Sequence, residues 1–366
     1  MMLYCLIMAG GKGERFWPRS RTRNPKQMLS VVTRKTMIED TLQRLEPFVD
    51  KQKIFVITNK QQSSSLKKLA VLGRKRIIAE PLARNTAVAI GLGALLIKKE
   101  NPQAVIACLP ADHVIKKKTQ FRKVLSSAAS IARRKNALVT IGIKPNYPAT
   151  GYGYIQAASC KLQAASKKTK KKDKKIFQVE KFIEKPKKED AEQFLQSGSY
   201  FWNSGIFVWK ASVILEAIEE HLPQLYSGLM RIENSLGKKE QKEVIERVYN
   251  NLKAVSIDYG VMEKAKNVFL VEGDFGWTDL GSWRAYWQFH KKNEKGNVCR
   301  GKCVNIDTYN SVVIGDRKRL TAVLGLSNVV VVQTKDAVLV CSQDRTQDVK
   351  MLVKEMSRRR GMKKFL

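Results

Sequence analysis

No stretch of the 366-residue chain approaches the roughly 18 consecutive apolar residues that a membrane-crossing helix requires. The N-terminus MMLYCLIMAGG lacks the basic first region and cleavage site of a secretory signal and runs directly into a glycine loop. A soluble, cytoplasmic protein with no membrane partner is expected. The six cysteines (Cys5, Cys108, Cys160, Cys299, Cys303, Cys341) are scattered, and Cys299 and Cys303 lack the second Cys or His pair that would complete a zinc site. They read as reduced structural thiols. Neither common phosphate-binding signature is present. Gly11-x-Gly13 is followed by Phe16 where a dinucleotide fingerprint has its third glycine, and G-x-x-x-x-G-K-[ST] occurs nowhere. Acidic residues are scarce: 33 Asp plus Glu face 68 Lys plus Arg, a formal net charge of +35. That surplus favours anionic partners without choosing among nucleotides, nucleic acid and acidic lipid.

The densest charge, KLQAASKKTKKKDKK from Lys161 to Lys175, holds eight lysines and no aromatic residue. Single-strand nucleic-acid binders interleave aromatics with their cations, so the segment reads as a solvated loop. No RRM, KH, zinc or helix-turn-helix signature supports a nucleic-acid partner.

What is present is a regular alternation. LYCLIMAGG (3–11), KIFVITN (53–59), KRIIAE (75–80), AVIACLPADH (104–113) and ALVTIGI (137–143) are short, branched runs bounded by turn residues, as buried parallel strands are. Between them lie the helical patterns TMIEDTLQRLEPFV, NTAVAIGLGALLIKKEN and TQFRKVLSSAASIARRKN. The order predicts an α/β fold with a doubly wound, mostly parallel, Rossmann-like sheet. In such sheets ligands bind outside the carboxyl ends of the strands, which here means Gly10 to Arg15, Glu80 to Asn85, and Asp112. After about residue 290 the texture becomes short Val- and Ile-rich strands without a strict hexapeptide period, until a closing helix in DRTQDVKMLVKEMSRRRG. Two domains are expected, a catalytic one over 1–290 and a short β-helix-like one over 291–366.

In the opening loop, MAGGKGERFWPRSRTRNPKQ, glycines allow close approach of backbone N–H groups to a phosphate. Arg15 can fork two oxygens and Lys26 adds a mobile point charge. On its own the loop could equally be a tight strand-to-helix turn with surface cations. The chain also carries EPLARNTAVAI (80–90), LPADHVI (109–115), TGYGYI (150–155), FIEKP (182–186), YFWNSGIFVW (200–209), SIDYGVMEK (256–264) and GWTDLGSW (276–283). In this order these blocks strongly resemble the sugar nucleotidyltransferases, and within them the mannose-1-phosphate guanylyltransferases. The resemblance runs from residue 3 to about 290. Relatives with a fused phosphomannose isomerase domain are longer, and none is expected here.

The resemblance implies transfer of GMP from GTP to mannose 1-phosphate, with Mg²⁺, by attack of the sugar phosphate on the α-phosphorus. A phosphate monoester with a second pKa of about 6 needs no general base, in keeping with only three histidines. The site must supply position and cations. By the same matching, Arg15 and Lys26 hold the departing phosphates and Lys185 faces the sugar phosphate. Gly10, Gly11, Gly13, Glu80, Pro81, Asn85, Thr86 and Asp112 are expected at the nucleotide. Glu80 can accept from guanine's adjacent N–H donors, and Asn85 and Thr86 open a helix where backbone N–H groups are free. Gly151, Glu180, Glu184, Asn203 and Asp258 are candidate sugar contacts. Asp112 and Asp279 are candidate metal ligands, with Asp274 and Asp258 as alternatives to Asp279; His113 could touch the nucleotide or only its own loop. The family's β-helical tail suggests a homodimer. Lys12, Glu14, Arg19 and the Lys161–Lys175 insertion depart from the family pattern. Two rival readings stay open: a nucleotidyltransferase for another base or sugar, and a nucleic-acid-associated protein on this fold.

Overall fold

The computed structural model describes residues 3–68, 73, 76–161 and 175–366. The lysine-rich segment read as a solvated loop lies, at 162–174, outside the described residues. By contacts the chain groups into two compact units. One comprises Met1–Gly10, Leu42–Ala111 and Ile115–Trp277; the other comprises Gly11–Thr41, Asp112–Val114 and Thr278–Leu366. This grouping partitions the chain differently from a cut at 290, because residues 11–41 go with the C-terminal segment.

In chain order the strands are β1 (Leu3–Met8), β2 (Ile54–Asn59), β3 (Ile77–Glu80), β4 (Val105–Pro110), the two-residue β5 (Val114–Ile115), β6 (Leu138–Ile143), β7 (Gly153–Lys161), β8 (Ile176–Glu184), β9 (Tyr200–Lys210) and β10 (Val268–Gly273). All but β5 join one nine-stranded sheet, ordered β3-β2-β1-β4-β9-β6-β10-β8-β7. The four strands β3-β2-β1-β4 are parallel neighbours, as their unbroken apolar runs predict. β9 runs antiparallel to β4, β6 and β7, and β8 runs antiparallel to β7 and β10, so only these two oppose the common direction. The doubly wound sheet is thus mostly parallel in direction, with two reversed strands.

Helices form where the periodicity predicts, at Met37–Leu45, Asn85–Glu100 and Lys118–Lys135. Asn85–Glu100 is apolar on nearly every side because it is buried between the sheet and the helices Ala211–His221 and Pro223–Ser235. A Cβ at Gly93 would overlap Leu6 of β1, so glycine sets how closely this helix approaches the strand. The parallel strands β1, β3 and β4 end on one edge of the sheet, at Met8, Glu80 and Pro110, with Gly10 two residues beyond β1.

The second unit's last segment starts at Thr278, the second residue of β11 (Trp277–Thr278), and leads into helix Trp283–Phe289, capped by the Ser282 hydroxyl accepting from Ala285 N–H. There follow β12 (Val298–Arg300), β13 (Cys303–Ile306), β14 (Val312–Ile314), β15 (Thr321–Leu324), β16 (Val329–Gln333) and β17 (Val338–Ser342). β12, β14 and β16 stack in parallel, with Val298, Val312 and Val330 in register, and β17 closes the ladder antiparallel. β13 and β15 form a second parallel pair. This is a short β-helical coil. Its core takes in Phe16, Trp17, Leu29 and Val31 together with Trp283 and Val349. Burial of these four side chains is the physical reason the opening loop belongs with the C-terminal unit.

Candidate active site

The opening loop is held by its carbonyl groups. Ser20 Oγ donates to Gly13 O at 2.7 Å, and Gln27 Nε2 donates to Gly11 O at 3.1 Å. Gly13 has φ +65° and a Cβ there would overlap Lys26 Cβ, so only glycine fits. The short helical turn Glu14–Phe16 is fixed by Phe16, whose ring lies 4.7 Å from that of Trp283. That turn presents Arg15, whose Nη1 donates to Gln347 Oε1 at 2.9 Å.

Lys26 is the centre of this group. Its side chain is only 4% exposed, yet it carries an ammonium, which burial permits only with good partners. Nζ donates to Asp112 Oδ2 at 2.8 Å and to the Asp279 carbonyl at 2.6 Å, 5.7 Å from the Phe16 ring centre. Burial by itself would raise the pKa of Asp112. The Lys26 ammonium and the neighbouring His113 outweigh it and hold the carboxyl below its ordinary value. Asp279 Oδ1 accepts from Gly281 N–H at 3.0 Å, and a Cβ at 281 would overlap that carboxylate. Of the alternatives, Asp274 pairs with Lys117 at 3.3 Å at the surface and Asp258 pairs with Asn203. Asp279 meets Lys26 through its backbone carbonyl, while its carboxylate accepts from Gly281 N–H.

In the sheet unit, Glu80 ends β3 and is buried, and a Cβ at Gly10 would stand 4.0 Å from Glu80 Oε2. The Tyr249 hydroxyl donates to Glu80 Oε1 at 3.0 Å. Burial pushes the Glu80 pKa up to about 7, and the hydrogen bond from Tyr249 opposes that shift. Pro81 follows directly, and Arg84 anchors the turn through Nε to Tyr249 O at 2.7 Å. The free N–H groups expected at the start of helix Asn85–Glu100 are not free. Asn85, at φ +67°, turns its own Oδ1 onto Thr86 N–H at 2.8 Å, and Ala87 N–H donates to Val255 O. Thr86 Oγ1 in turn accepts from Ile257 N–H at 2.8 Å, tying this helix to the segment bearing Asp258. Side chains at 85 and 86 are what this position offers.

A third group gathers Glu184, Lys185, Asn203 and Asp258. Asn203 Nδ2 donates to Asp258 Oδ1 at 2.7 Å, while Asn203 Oδ1 accepts from Gly205 N–H at 3.0 Å, which fixes the amide's orientation. Lys185 Nζ contacts Glu184 Oε1. Burial, then the Glu184 charge, raises the Asp258 pKa. A Cβ at Gly153 would overlap Glu184 Oε2. Glu180 is exposed and its charge acts on Tyr200, and Gly151 stands in an open bend; no described contact brings either to this group. Sequence reasoning missed Tyr249, Gln347, Gly153 and Gly281. Only the two glycines left a signal, one inside TGYGYI and the other inside GWTDLGSW.

The nucleotidyl transferase family model matches residues 4–296, and a MannoseP isomerase/GMP-like beta-helix domain model matches residues 301–356. The chain is 36% identical over 352 residues to the alginate biosynthesis protein AlgA of Pseudomonas syringae pv. tomato, covering 95% of this chain and 70% of that protein. It is 37% identical over 361 residues to the mannose-1-phosphate guanylyltransferase of Escherichia coli K12, covering 97% and 73%. A crystal structure described as mannose-1-phosphate geranyltransferase from Thermus thermophilus matches with TM-score 0.86 and 33% identity, over 98% of this chain and 100% of that one. With both domain models in sequence and relatives of this likeness along nearly its whole length, the chain belongs to the nucleotidyl transferase family, alongside proteins named mannose-1-phosphate guanylyltransferase.

Proposed function

We propose that the chain is a cytoplasmic mannose-1-phosphate guanylyltransferase. An oxygen of mannose 1-phosphate bonds to the α-phosphorus of GTP, the bond to the β-phosphate oxygen breaks, and GDP-mannose and pyrophosphate result. The observation that carries this reading is the buried Lys26 ammonium between the Asp112 carboxylate and the Asp279 carbonyl, beside the glycine loop. Phosphoryl and nucleotidyl transfer need placed positive charge and little else. Lys26 and Arg15 take the β- and γ-phosphates, with Gly10, Gly11 and Gly13 giving backbone access. Glu80, beside Pro81, Asn85 and Thr86, accepts the paired N–H donors of guanine. Lys185 meets the sugar phosphate, and Glu184, Asn203 and Asp258 hold the sugar hydroxyls, with Glu180 and Gly151 at that end. Catalysis is assigned to residues 1–290 and the β-helical coil to 291–366.

The donor set suits Mg²⁺. The Asp112 carboxylate and the Asp279 backbone carbonyl lie on one ammonium, and Asp112 is held ionised. Mg²⁺ takes few carboxylates and completes its shell with water and phosphate oxygens. When bound it supplies charge neutralisation for the triphosphate, and Asp112 and Asp279 are the residues that would hold it. No helix among the described residues is long and apolar enough to cross a membrane. A homodimer is supported by the exposed Val304 and Ile306 of β13 and Leu324 of β15, an apolar strip on one parallel pair.

The test is pyrophosphate release from GTP with mannose 1-phosphate against GTP with glucose 1-phosphate, and with UTP or dTTP in place of GTP. Preference for GTP and mannose 1-phosphate is expected. Equal use of UTP would leave the transferase reading and overturn the guanylyl one.

Two substitutions follow from the geometry. Gly281→Ala is expected to push the Asp279 carboxylate off its place and lower kcat by about 10- to 100-fold, a loss of roughly 1.4 to 2.8 kcal/mol, with the fold unchanged by circular dichroism. The second concerns pH. Glu80 accepts two donors only when ionised, so KM for GTP should fall as pH rises through about 7. Tyr249→Phe removes the hydrogen bond that favours the carboxylate, which moves this break to higher pH. Stability shifts the opposite way. Between the ordinary value near 4.5 and about 7 the folded chain keeps a proton that the unfolded chain has released, so stability falls as pH rises through that window. Glu80→Gln should flatten that fall in melting temperature.

A further inference from the structure

Within the second unit, the opening loop and helix Val349–Arg358 bound a groove of about 570 Å³. This is the size of a small-molecule site. Four cations line it, Lys12 and Arg21 from the loop and Lys350 and Lys354 from the helix, against the Glu14 carboxylate and Leu366, the last residue of the sequence. Two of the four are already engaged. Lys12 pairs loosely with Glu14 at 3.8 Å, and Arg21 pairs with Asp336 at 2.9 Å and with the Phe365 carbonyl. Lys350 and Lys354 stand one helical turn apart, both exposed, and among the described residues neither ammonium has a hydrogen-bond or ion-pair partner. Like charges at this spacing repel and disfavour the helix, and an anion between them would reverse that cost. Beside them the exposed Met351 and the half-buried Val353 give the groove an apolar floor.

We propose that this groove is a second anion site, taking a small phosphate-bearing molecule. The phosphate lies between Lys350 and Lys354, and its apolar body lies on Met351 and Val353. The site is built from different side chains than those that take the triphosphate, but from the same loop. Arg15 reaches Gln347 at 2.9 Å, just ahead of the helix, so an occupant here holds the loop and helix together. Occupancy is therefore coupled to the arrangement of Arg15, and by linkage each ligand alters the affinity of the other.

The probe is 8-anilinonaphthalene-1-sulfonate, which combines an apolar ring system with an anionic group, followed by fluorescence on the full chain first without and then with saturating GTP and Mg²⁺, and without sugar phosphate. One saturable site is expected, displaced by millimolar inorganic phosphate but far less by sodium chloride at equal ionic strength. Lys350→Ser/Lys354→Ser should weaken it at least tenfold while leaving turnover in phosphate-free buffer unchanged. Lys350→Glu should weaken it as well, and both variants alter only exposed side chains. Binding that the double variant does not change, displacement by chloride equal to that by phosphate, or loss of all binding on adding GTP would each overturn the proposal. Since the three binding outcomes that would overturn the proposal require neither mannose 1-phosphate nor transfer, failure here leaves the guanylyltransferase reading untouched.

Discussion

Asp112→Asn is expected to lower kcat at saturating magnesium and substrates by about 10³-fold or more, or roughly 4 kcal/mol of transition-state stabilisation. The carboxylate is held ionised chiefly because Lys26 is beside it, and the amide halves the protein charge offered to a metal without changing side-chain volume. The asparagine oxygen can still accept from Lys26 Nζ, so the loop should keep its place. Near-normal kcat at saturating magnesium would reject the assignment, and a melting temperature close to wild type would show that the loss is not one of folding.

Lys26→Met is expected to cost about 10²- to 10³-fold in kcat/KM for GTP. Methionine fills the buried volume, but Asp112 loses the charge that holds its pKa down and the Asp279 carbonyl loses its donor. Because Lys26 and Asp112 act as one contact pair, their effects should not add. The double variant Lys26→Met/Asp112→Asn should be no slower than about the worse single variant. Multiplicative losses would show that the two groups act independently and are not one catalytic pair.

Much of this arrangement was legible in the sequence because loops at the carboxyl ends of parallel strands are where such sheets take ligands. Glu80 ends β3, and Gly10 and Asp112 follow β1 and β4; each could be named from a short apolar run ending in an odd loop. Glu184, Asn203 and Asp258 came from family blocks, and the structure brings them together through paired hydrogen bonds and shared charge. What was not legible depends on distance along the chain. Tyr249 sits 169 residues from Glu80 on an amphipathic helix, where an aromatic residue reads as core, and its hydroxyl's target exists only after folding. Gln347 and Arg15 are 332 residues apart, and nothing local marks a glutamine as the partner of that guanidinium. The reversal of β8 and β9 was hidden because their alternation fits strands of either direction. General helix geometry leaves the first N–H groups of helix Asn85–Glu100 free, whereas Asn85 adopts a left-handed conformation and caps its neighbour itself.

The central claim, that this chain moves GMP onto mannose 1-phosphate, is tested most directly by mass-resolved product analysis of the purified chain given equal GTP, UTP and dTTP together with equal mannose 1-phosphate and glucose 1-phosphate in one magnesium-containing reaction. GDP-mannose is expected as the dominant product, with Glu80→Gln broadening the choice of base more than the choice of sugar, because loss of a buried hydrogen-bond partner typically costs about 1 to 3 kcal/mol. A mixture led by a uridine or thymidine sugar, or no nucleotide sugar at all from a folded chain, would contradict it.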